Sequence, residues 1–547
     1  MKKSSFIEGT VIATLAIVFV KILGMLYVIP FYATIGVEGA ALYAYAYNIY
    51  VIFLDISSAG LPIAISKVIN EFNTLGKLDA KVRAYRLGKQ LITFISVIVF
   101  CLLFLFAPQV AQLILGDLSG GSTIEQVSFV IRCVSFALLV IPYLSVSKGY
   151  LQGHNIINVS SISQVIEQVV RIIFILGGSY LALHVFHLSL TSAVGIAVFG
   201  ACAGGIAAAL YIVSKIHKNK KQLHLTNDLP KDEISNREIL KKIVMYAVPF
   251  IIIDIAVSIY NFVDMVFILR TLDHLGFDAT TAEYITTSIT TWGGKIMMIV
   301  SSVAMGMSVS LIPNIVEAYT LKKWHIVNHK LNKALQIILF VCLPMVFGLS
   351  LLAKPVWSIF YGYNELGAFV FSVYIFVALF FNLYTITSST LQSLNKFKAV
   401  YCTSIFGFFL NAVLDIPLMI LFHHLGFDAF IGACVATIIG YSSSIFFALI
   451  LLRKDHKLSY RSIWDLLGKV IIPLLAMILG VCFLKWLLPI NYTNKVSCIF
   501  YVGVISLVGA FLYLFISYKM GILKQVFGQE YLNKIIKKLT FGKISIS

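Results

Sequence analysis

The sequence has few charged residues for its length. Only 12% of its 547 residues are Asp, Glu, Lys or Arg, whereas 59% are hydrophobic and the mean hydropathy is +0.93. Soluble globular proteins carry about 25% charged and about 45–50% apolar residues. Because so few charges cannot cover a water-soluble body of this size, the composition excludes a soluble protein and predicts an all-α, polytopic membrane protein.

The chain also lacks the motifs of common catalytic and ATP-driven sites. It has no G-x-x-x-x-G-K-[ST] phosphate loop and no G-x-S-x-G nucleophile elbow. Its eight cysteines are scattered through apolar stretches without a C-x-x-C pair, so neither a disulfide framework nor a zinc site is indicated. We therefore expect no enzyme activity, no metal and no cofactor. Any uphill step must then be driven by the membrane potential or by a H⁺ or Na⁺ gradient.

Long apolar runs make up most of the sequence. A helix needs about 20 apolar residues to cross a bilayer. By that measure we predict fourteen spans, at residues 7–33, 41–70, 87–108, 124–150, 158–182, 187–214, 240–270, 284–316, 331–353, 367–393, 398–423, 428–452, 463–488 and 496–518. The first run begins like a signal peptide but has no small-x-small cleavage site, so we expect it to be retained as span 1.

The basic residues are distributed unevenly between the two sides of these spans. Of the 42 Lys and Arg residues, 34 fall on the side of the N-terminus, and the opposite side holds Arg270, Lys354, Lys485 and Lys495. Because cytoplasmic loops collect Lys and Arg, both termini are predicted to be cytoplasmic. The formal net charge of +18 thus mostly reflects topology, and we expect no nucleic-acid partner.

Short motifs recur at an interval of six spans. The Leu-Gln-x-x-Asn motif at 151–155 returns at 391–395, and the proline motif at 60–63 returns at 311–314. Parallel repeats of this kind build a binding site between two lobes in many transporters. We therefore predict two six-helix lobes in a pseudo-two-fold arrangement, with the domains 1–218 (first lobe), 219–239 (cytoplasmic linker), 240–456 (second lobe) and 457–547 (spans 13 and 14 with a basic cytoplasmic tail).

Several charged residues are predicted to lie inside the hydrocarbon region. The basic ones are Lys21 (span 1), Arg132 (span 4), Arg171 (span 5) and Lys295 (span 8). The acidic ones are Asp55, Glu167, Asp254, Asp264 and Asp415. A charge at the bilayer centre costs at least about 2.5–3.5 kcal/mol on insertion scales, so it normally faces a bundle interior or a wet cavity. These residues are therefore the candidates for a site.

Spacing gives each of these charges a structural and a functional interpretation. Glu167 and Arg171 lie four positions apart on one polar stripe of span 5. The simpler interpretation is that the two side chains neutralise each other and that the stripe holds neighbouring helices together. Lys21 and Lys295 have no acidic residue three or four positions away, which favours an anionic ligand or a distant partner. Asp55, Asp254 and Asp264 are candidates for sensing protons or sodium, and Glu167 is a further acidic cavity candidate.

Tyrosines cluster at the start of span 2, at Tyr43, Tyr45, Tyr47 and Tyr50. They could stack on a sugar or line a cavity mouth, but an aromatic belt at the membrane interface is the commoner explanation. Tyr43 and Tyr45 are accordingly predicted to be belt residues. For Tyr47 and Asn48 both interpretations stay open.

At this point the motifs indicate a family. The chain resembles the multidrug/oligosaccharidyl-lipid/polysaccharide (MOP) exporter superfamily, and within it the polysaccharide-biosynthesis flippases related to stage V sporulation protein B and the MurJ lipid II flippases. The resemblance covers essentially the whole chain. It rests on the motifs at residues 21–24, 43–48, 59–67 and 149–153, and on Lys295 ahead of residues 310–313.

The resemblance implies which residues hold the substrate. In MurJ-type flippases, basic residues in spans 1 and 8 line a central cavity and face the lipid-linked diphosphate, and Lys21 and Lys295 occupy those positions. The chain differs from the Gram-negative pattern at Tyr27 and at Asn48, where further basic residues are usual, while Lys67 lies nearer the cytoplasm. The implied substrate-binding set is therefore Lys21, Lys295, Asn48 and, to complete the grip, Arg132, Arg171 or Lys67.

The resemblance also implies the function and its alternatives. We expect a flippase in the bacterial cytoplasmic membrane that moves an undecaprenyl-diphosphate-linked saccharide outward, with lipid II as the first candidate. Spans 13 and 14 are expected to form a groove for the polyprenyl tail. Membrane lipids and the wall-synthesis machinery are the expected partners. Alternatives are a flippase for another polysaccharide precursor and a cation-coupled multidrug antiporter, which usually has twelve spans and an acidic cavity. From other classes, a glycan polymerase usually needs a large extracytoplasmic loop, and a scaffold has no use for intramembrane charge.

Overall fold

The computed structural model describes residues 16, 19–58, 60–118, 120–154, 156–220, 223, 225, 232–456 and 459–529. Within these ranges the chain is built from helices, with no β-strand. It divides into two compact units, unit 1 (Met1–Thr291) and unit 2 (Trp292–Ser547). The all-α fold is thereby confirmed.

Unit 1 contains twelve helices in the described ranges. They are α1 (residues 19–26), α2 (Val28–Ser58), α3 (Leu61–Thr74), α4 (Leu78–Leu105), α5 (Ala107–Leu115), α6 (Ile124–Ser135), α7 (Ala137–Gly153), α8 (Ile157–Ile173), α9 (Ser179–His184), α10 (Leu190–Lys218), α11 (Asn236–His274) and α12 (Ala279–Thr287). A π-helical segment, Phe174–Gly178, joins α8 to α9, and a second one, Ser288–Trp292, leads into unit 2.

Unit 2 contains ten helices in the described ranges. They are α13 (Gly293–Thr320), α14 (Trp324–Leu351), α15 (Ala353–Tyr361), α16 (Glu365–Tyr374), α17 (Val377–Ser393), α18 (Phe397–His424), α19 (Ala429–His456), α20 (Arg461–Leu487), α21 (Lys495–Lys519) and α22 (Ile522–Phe527). Helices α18 and α19 pack so closely that Gly432 lies directly against the backbone of Leu418 and Met419.

The helices have the length and composition of membrane spans. Among the described residues, eleven helical stretches are long and apolar enough to cross a membrane. The first of them, Phe19–Thr74, covers predicted span 2 and the part of predicted span 1 from residue 19 onwards, while the start of span 1 lies outside the described residues. Helices α11 and α13 have 39 and 28 residues. At about 1.5 Å per residue each exceeds the roughly 30 Å of a hydrocarbon core. The chain is a multi-pass membrane protein.

Proline and glycine set the breaks at the start of unit 1. The ring of Pro30 conflicts with the carbonyl of residue 26, and the helix is interrupted at Tyr27, between α1 and α2. Within α2 the chain bends at Gly36, whose φ of 66° and ψ of −169° are not helical. A glycine tolerates this conformation because it has no Cβ. The bend falls between predicted spans 1 and 2.

The glycines of the 149–153 motif are explained by close helix packing. A Cβ on Gly149 would lie 2.5 Å from the carbonyl oxygen of Pro62, and one on Gly153 would lie 2.8 Å from that of Ser66. Helix α7 therefore approaches the backbone of α3 along a small-residue face, as membrane helices often do. The two motifs that share the family resemblance in this unit thus contact each other.

The repeated proline motif has different structures in its two copies. In unit 1, Gly60 adopts a φ of 69° and separates α2 from α3, with Pro62 in the first turn of α3. In unit 2, residues 311–314 lie within the continuous helix α13. The motif therefore marks a helix break in the first half of the sequence and an uninterrupted helix in the second.

Candidate functional site

A three-residue charge cluster lies inside unit 1 and joins α7 to α8. Glu167 Oε2 accepts a hydrogen bond from Lys148 Nζ at 2.8 Å, and Glu167 Oε1 lies 3.4 Å from Arg171 Nη2. The side chains of Lys148, Glu167 and Arg171 are 16%, 15% and 19% exposed. The Glu167–Arg171 pairing agrees with the sequence interpretation, whereas Lys148, which the loop count placed with the cytoplasmic residues, is a missed member of the site.

Helix α10 holds the backbone of this cluster from behind. Gly204 packs directly against the Glu167 carbonyl, and a Cβ on Gly200 would lie 3.0 Å from the Arg171 carbonyl oxygen. Because no side chain intervenes, α8 is fixed close to α10 and turns its polar stripe to the other side. The Gly200-x-x-x-Gly204 spacing is a sequence signal for this close helix packing.

The tyrosines of α2 lie in front of Arg171. Tyr43 and Tyr47 are stacked with ring centroids 5.9 Å apart, and a small cavity of about 10 Å³ is lined by Tyr43, Tyr47, Tyr50 and Arg171. The predicted aromatic belt is wrong, because Tyr43 is only 3% exposed and Tyr45 is fully buried. Tyr43, Tyr47 and Tyr50 recur at i, i+4 and i+7, which places them together on an inward face of the helix.

Helix α1 lies beside the same polar stripe. A Cβ on Gly24 would be 3.5 Å from Gln168 Nε2 on α8. Lys21 lies one helical turn before Gly24, on the same side of α1, and is half-buried. Tyr27 contacts Tyr43, with 3.3 Å between the two hydroxyl oxygens. Unit 1 thus brings Lys21, the tyrosines and the charge cluster into one polar region.

Arg132 has a different environment. Its Nε donates to the Phe104 carbonyl at 3.3 Å, and its guanidinium lies 5.7 Å from the Phe104 ring centroid. Phe104 lies in the last turn of α4, where carbonyls have no partner within the helix. Arg132 therefore satisfies a helix end, as Lys485 does at Leu351 O of α14. The structure does not bring Arg132 into the cluster around Arg171.

A polar seam connects α2 to α11 within unit 1. Asn48 Nδ2 donates to Thr291 Oγ1 at 3.0 Å and lies 3.5 Å from Met265 Sδ. Two turns further along α2, Asp55 accepts a short hydrogen bond from Ser258 on α11. The predicted site residues Asn48 and Asp55 therefore face the same helix, with their polar groups engaged across the seam.

The seam continues from α3 to the N-terminal part of α11. Lys67 is exposed, and its Nζ lies 4.1 Å from the centroid of the Tyr246 ring. Glu71 pairs with Lys242 at 2.5 Å. The four contacts pair Asn48 with Met265, Asp55 with Ser258, Lys67 with Tyr246 and Glu71 with Lys242. From one pair to the next, the residue number rises along α2 and α3 by as much as it falls along α11. The helices therefore keep one antiparallel register over these four pairs. Lys67 thus belongs to this seam rather than to the charge cluster.

The remaining predicted residues lie on α11, α13 and α18. Asp264 is buried on α11, next to Met265. The side chain of Asp254 lies outside the described part of the chain. In unit 2, Lys295 is half-buried in the first turn of α13. Asp415, a predicted intramembrane acid, is fully buried on α18 with its Oδ2 3.3 Å from Asn411 Nδ2.

Unit 2 contains an apolar cavity of about 370 Å³. It lies between α14, α20 and α21, and its lining includes Pro344, Gly348, Val481, Gly509 and Leu514. An elongated hydrocarbon fits such a lining because it needs no hydrogen-bond partners. Helices α20 and α21 correspond to predicted spans 13 and 14, and α14 forms a further wall of the cavity.

Comparisons with known proteins identify the family. The family model described as polysaccharide biosynthesis protein matches residues 6–319, and the MatE family model matches residues 249–416. The chain is 33% identical over 539 residues to the lipid II flippase MurJ of Bacillus subtilis (strain 168), covering 96% of this chain and 97% of that protein.

Two further proteins support the same assignment. Stage V sporulation protein B of the same organism is 26% identical over 411 residues, covering 74% of this chain and 76% of that protein. A solved structure of the lipid II flippase MurJ in an inward closed conformation is similar in fold, with a TM-score of 0.68 at 18% identity, covering 93% of this chain and 99% of that one. The chain therefore belongs to the polysaccharide biosynthesis protein family, and within it to the MurJ type.

Proposed function

We propose that this protein is a flippase that translocates an undecaprenyl-diphosphate-linked saccharide, lipid II first, from the inner to the outer leaflet of the bacterial cytoplasmic membrane. The observation that carries the proposal is the 33% identity to the lipid II flippase MurJ of Bacillus subtilis over 96% of the chain. Both termini lie in the cytoplasm, and the two predicted six-helix lobes alternate access to the site. The wall-synthesis machinery is the expected partner.

The charges suit a diphosphate headgroup. A diphosphate that crosses hydrocarbon needs cationic partners, and charge-assisted hydrogen bonds to phosphate are among the strongest available. In this proposal Lys21 and Lys295 bind the diphosphate, and Arg171 supplies the charge that the Gram-negative pattern places in spans 1 and 2. Arg132, Asn48 and Lys67 are assigned structural contacts instead, on the hydrogen bonds and ring contact described above.

The apolar cavity of unit 2 suits the lipid tail. Its volume of about 370 Å³ and its hydrocarbon lining fit a segment of a polyprenyl chain, while the rest of that chain stays in the bilayer. The tail then never has to leave an apolar environment. Only the headgroup requires a polar path.

Ion coupling is assigned to acidic residues that lie on the predicted membrane spans. Glu167 is held by Lys148 and Arg171, which makes it unsuited to bind H⁺ or Na⁺. Asp55, Asp254 and Asp264 stay candidates, and the buried Asp415 joins them. The membrane potential supplies about 2.3 kcal/mol for each charge moved through 100 mV, so it can drive the same step.

A multidrug antiporter is the alternative that the MatE match brings in. A cavity for cationic drugs needs acidic residues. Among the described residues, the polar region around Lys21, Lys148 and Arg171 contains one carboxylate, that of Glu167. That balance of charge favours an anionic substrate.

Complementation tests the proposal. In a wall-synthesising host depleted of its own lipid II flippase, this chain should restore growth, while Lys21→Ala and Lys295→Ala should not, at equal membrane abundance. Lys354→Ala is the control, because Lys354 pairs with the exposed Glu365 on the extracytoplasmic side. If wild type fails to complement, or if both charge variants complement fully, the diphosphate-cavity proposal is overturned.

A further inference from the structure

The charge cluster of unit 1 contains one carboxylate between two cations. Glu167 contacts Lys148 through one oxygen and Arg171 through the other. We propose that Glu167 is an internal counter-ion, which occupies Lys148 and Arg171 in the empty protein and releases them to the diphosphate of the substrate. This inference rests on the proposed function and names Lys148 and Arg171 as a further headgroup subsite.

The geometry of the carboxylate resembles that of a bound phosphate. Its two oxygens accept from two separate cationic groups, at 2.8 Å and 3.4 Å. The non-bridging oxygens of a phosphate present the same spacing with more negative charge, and Arg and Lys donors suit both anions. A diphosphate can therefore take over both cations, and Glu167 loses them in the exchange.

The cluster also has an excess of positive charge. Three other ion pairs, Arg83–Asp79, Lys242–Glu71 and Lys354–Glu365, each combine one cation with one anion. Around Glu167 two cations share one anion, and Arg171 Nε makes no hydrogen bond to any described residue. An unbalanced charge in a low-dielectric interior is costly, so a purely structural cluster would be neutral. An additional anion balances it.

The cluster lies within reach of the headgroup region. Each of its three side chains keeps between 15% and 19% of its surface exposed. Gln168 is the next residue on α8 and lies beside Gly24, one turn from Lys21. A diphosphate held by Lys21 would therefore meet the same polar stripe of α8 that carries Glu167. The tyrosine-lined cavity beside Arg171 adds hydroxyl groups there.

The test measures binding of undecaprenyl diphosphate to the purified full-length chain in nanodiscs. Undecaprenol, which lacks the diphosphate, serves as the ligand control. Glu167→Gln should lower the melting temperature of the empty protein, because Lys148 and Arg171 lose their partner. The same variant should bind undecaprenyl diphosphate at least about fivefold more tightly, since the competing anion is gone. Lys148→Met should bind it at least about fivefold more weakly. Glu365→Gln, which breaks an exposed ion pair, should change neither the melting temperature nor the affinity for undecaprenyl diphosphate.

The outcomes separate this inference from the proposed function. If wild type does not bind undecaprenyl diphosphate in preference to undecaprenol, the proposed function fails. If wild type binds but Glu167→Gln binds equally or more weakly, the counter-ion inference is overturned and the proposed function stands. Should Glu167→Gln not fold, Lys148→Met decides, since unchanged binding by that variant overturns the inference. A purely structural role cannot produce opposite affinity changes at Glu167 and Lys148.

Discussion

Replacing Gly149 by alanine tests how closely α7 must approach α3. The new Cβ would lie 2.5 Å from the Pro62 carbonyl oxygen and 2.7 Å from Pro62 Cα, whereas ordinary contacts begin at 3.4 Å. The obstructing atoms are backbone atoms that cannot rotate away, so the two helices must separate by nearly 1 Å. Overpacking of a tight core costs about 1–3 kcal/mol, and we expect the upper end here.

Gly468→Ala is the matched control, because a Cβ there meets nothing within 4 Å and the residue lies inside α20. It should leave stability unchanged or raise it by up to about 1 kcal/mol through helix propensity. The assay is the half-life of the folded protein in detergent at fixed temperature, which reports the unfolding rate. A loss of about 3 kcal/mol expressed in the unfolding rate shortens that half-life about a hundredfold. If Gly149→Ala is as long-lived as wild type, the α7–α3 packing described above is wrong.

Three further predictions concern the site and its surroundings. Arg132→Met removes a charged hydrogen bond at the end of α4. It should cost about 1.5–3 kcal/mol of folding stability without reducing transport per folded molecule. A transport defect at normal stability would instead make Arg132 a binding residue. Asn48→Leu leaves Thr291 Oγ1, in the π-helical segment Ser288–Trp292, without its partner on α2. The variant should lose about 1–3 kcal/mol of folding stability, measured by thermal unfolding, and unchanged stability would contradict this contact. Ala510→Trp fills the apolar cavity of unit 2. It should slow transport of the undecaprenyl-linked substrate while leaving the binding of the short-chain farnesyl diphosphate intact. An equal loss of transport and of farnesyl diphosphate binding would argue against a tail site.

The fold was predictable because membrane spans are encoded locally. Each span is an apolar run long enough to cross the bilayer, and helix breaks follow from Pro30, Gly36 and Gly60, which act on their immediate neighbours. The family motifs were visible too. Their physical cause was not, because the contact of Gly149 with Pro62 joins two helices that are far apart in sequence.

The site was predictable only where its residues share a helix. The Glu167–Arg171 pair follows from i,i+4 spacing, whereas Lys148 is on a neighbouring helix, 19 residues away, and no local pattern connects it to Glu167. Counting charges near helix ends assigned Lys148 to the cytoplasmic side. Tyr43 and Tyr45 were misassigned to an aromatic belt for a related reason, since composition cannot tell a lipid-facing helix side from a buried one.

The environment of the other cations also depends on pairing between helices. Arg132 looks like a cavity charge in the sequence, and its hydrogen bond to the last turn of α4 is visible only in the structure. The α2–α11 seam is similar, because its register is set by which helices are neighbours. Hydropathy and spacing do not contain that information.

The most direct test of the central claim is the leaflet distribution of lipid II in a wall-synthesising host whose only flippase is this chain under inducible control. Lipid II is labelled from outside the cell and, after lysis, in total. On depletion, the account predicts that externally labelled lipid II falls while total lipid II rises, and that re-expression restores the external fraction. Unchanged outward exposure of lipid II during depletion would contradict it.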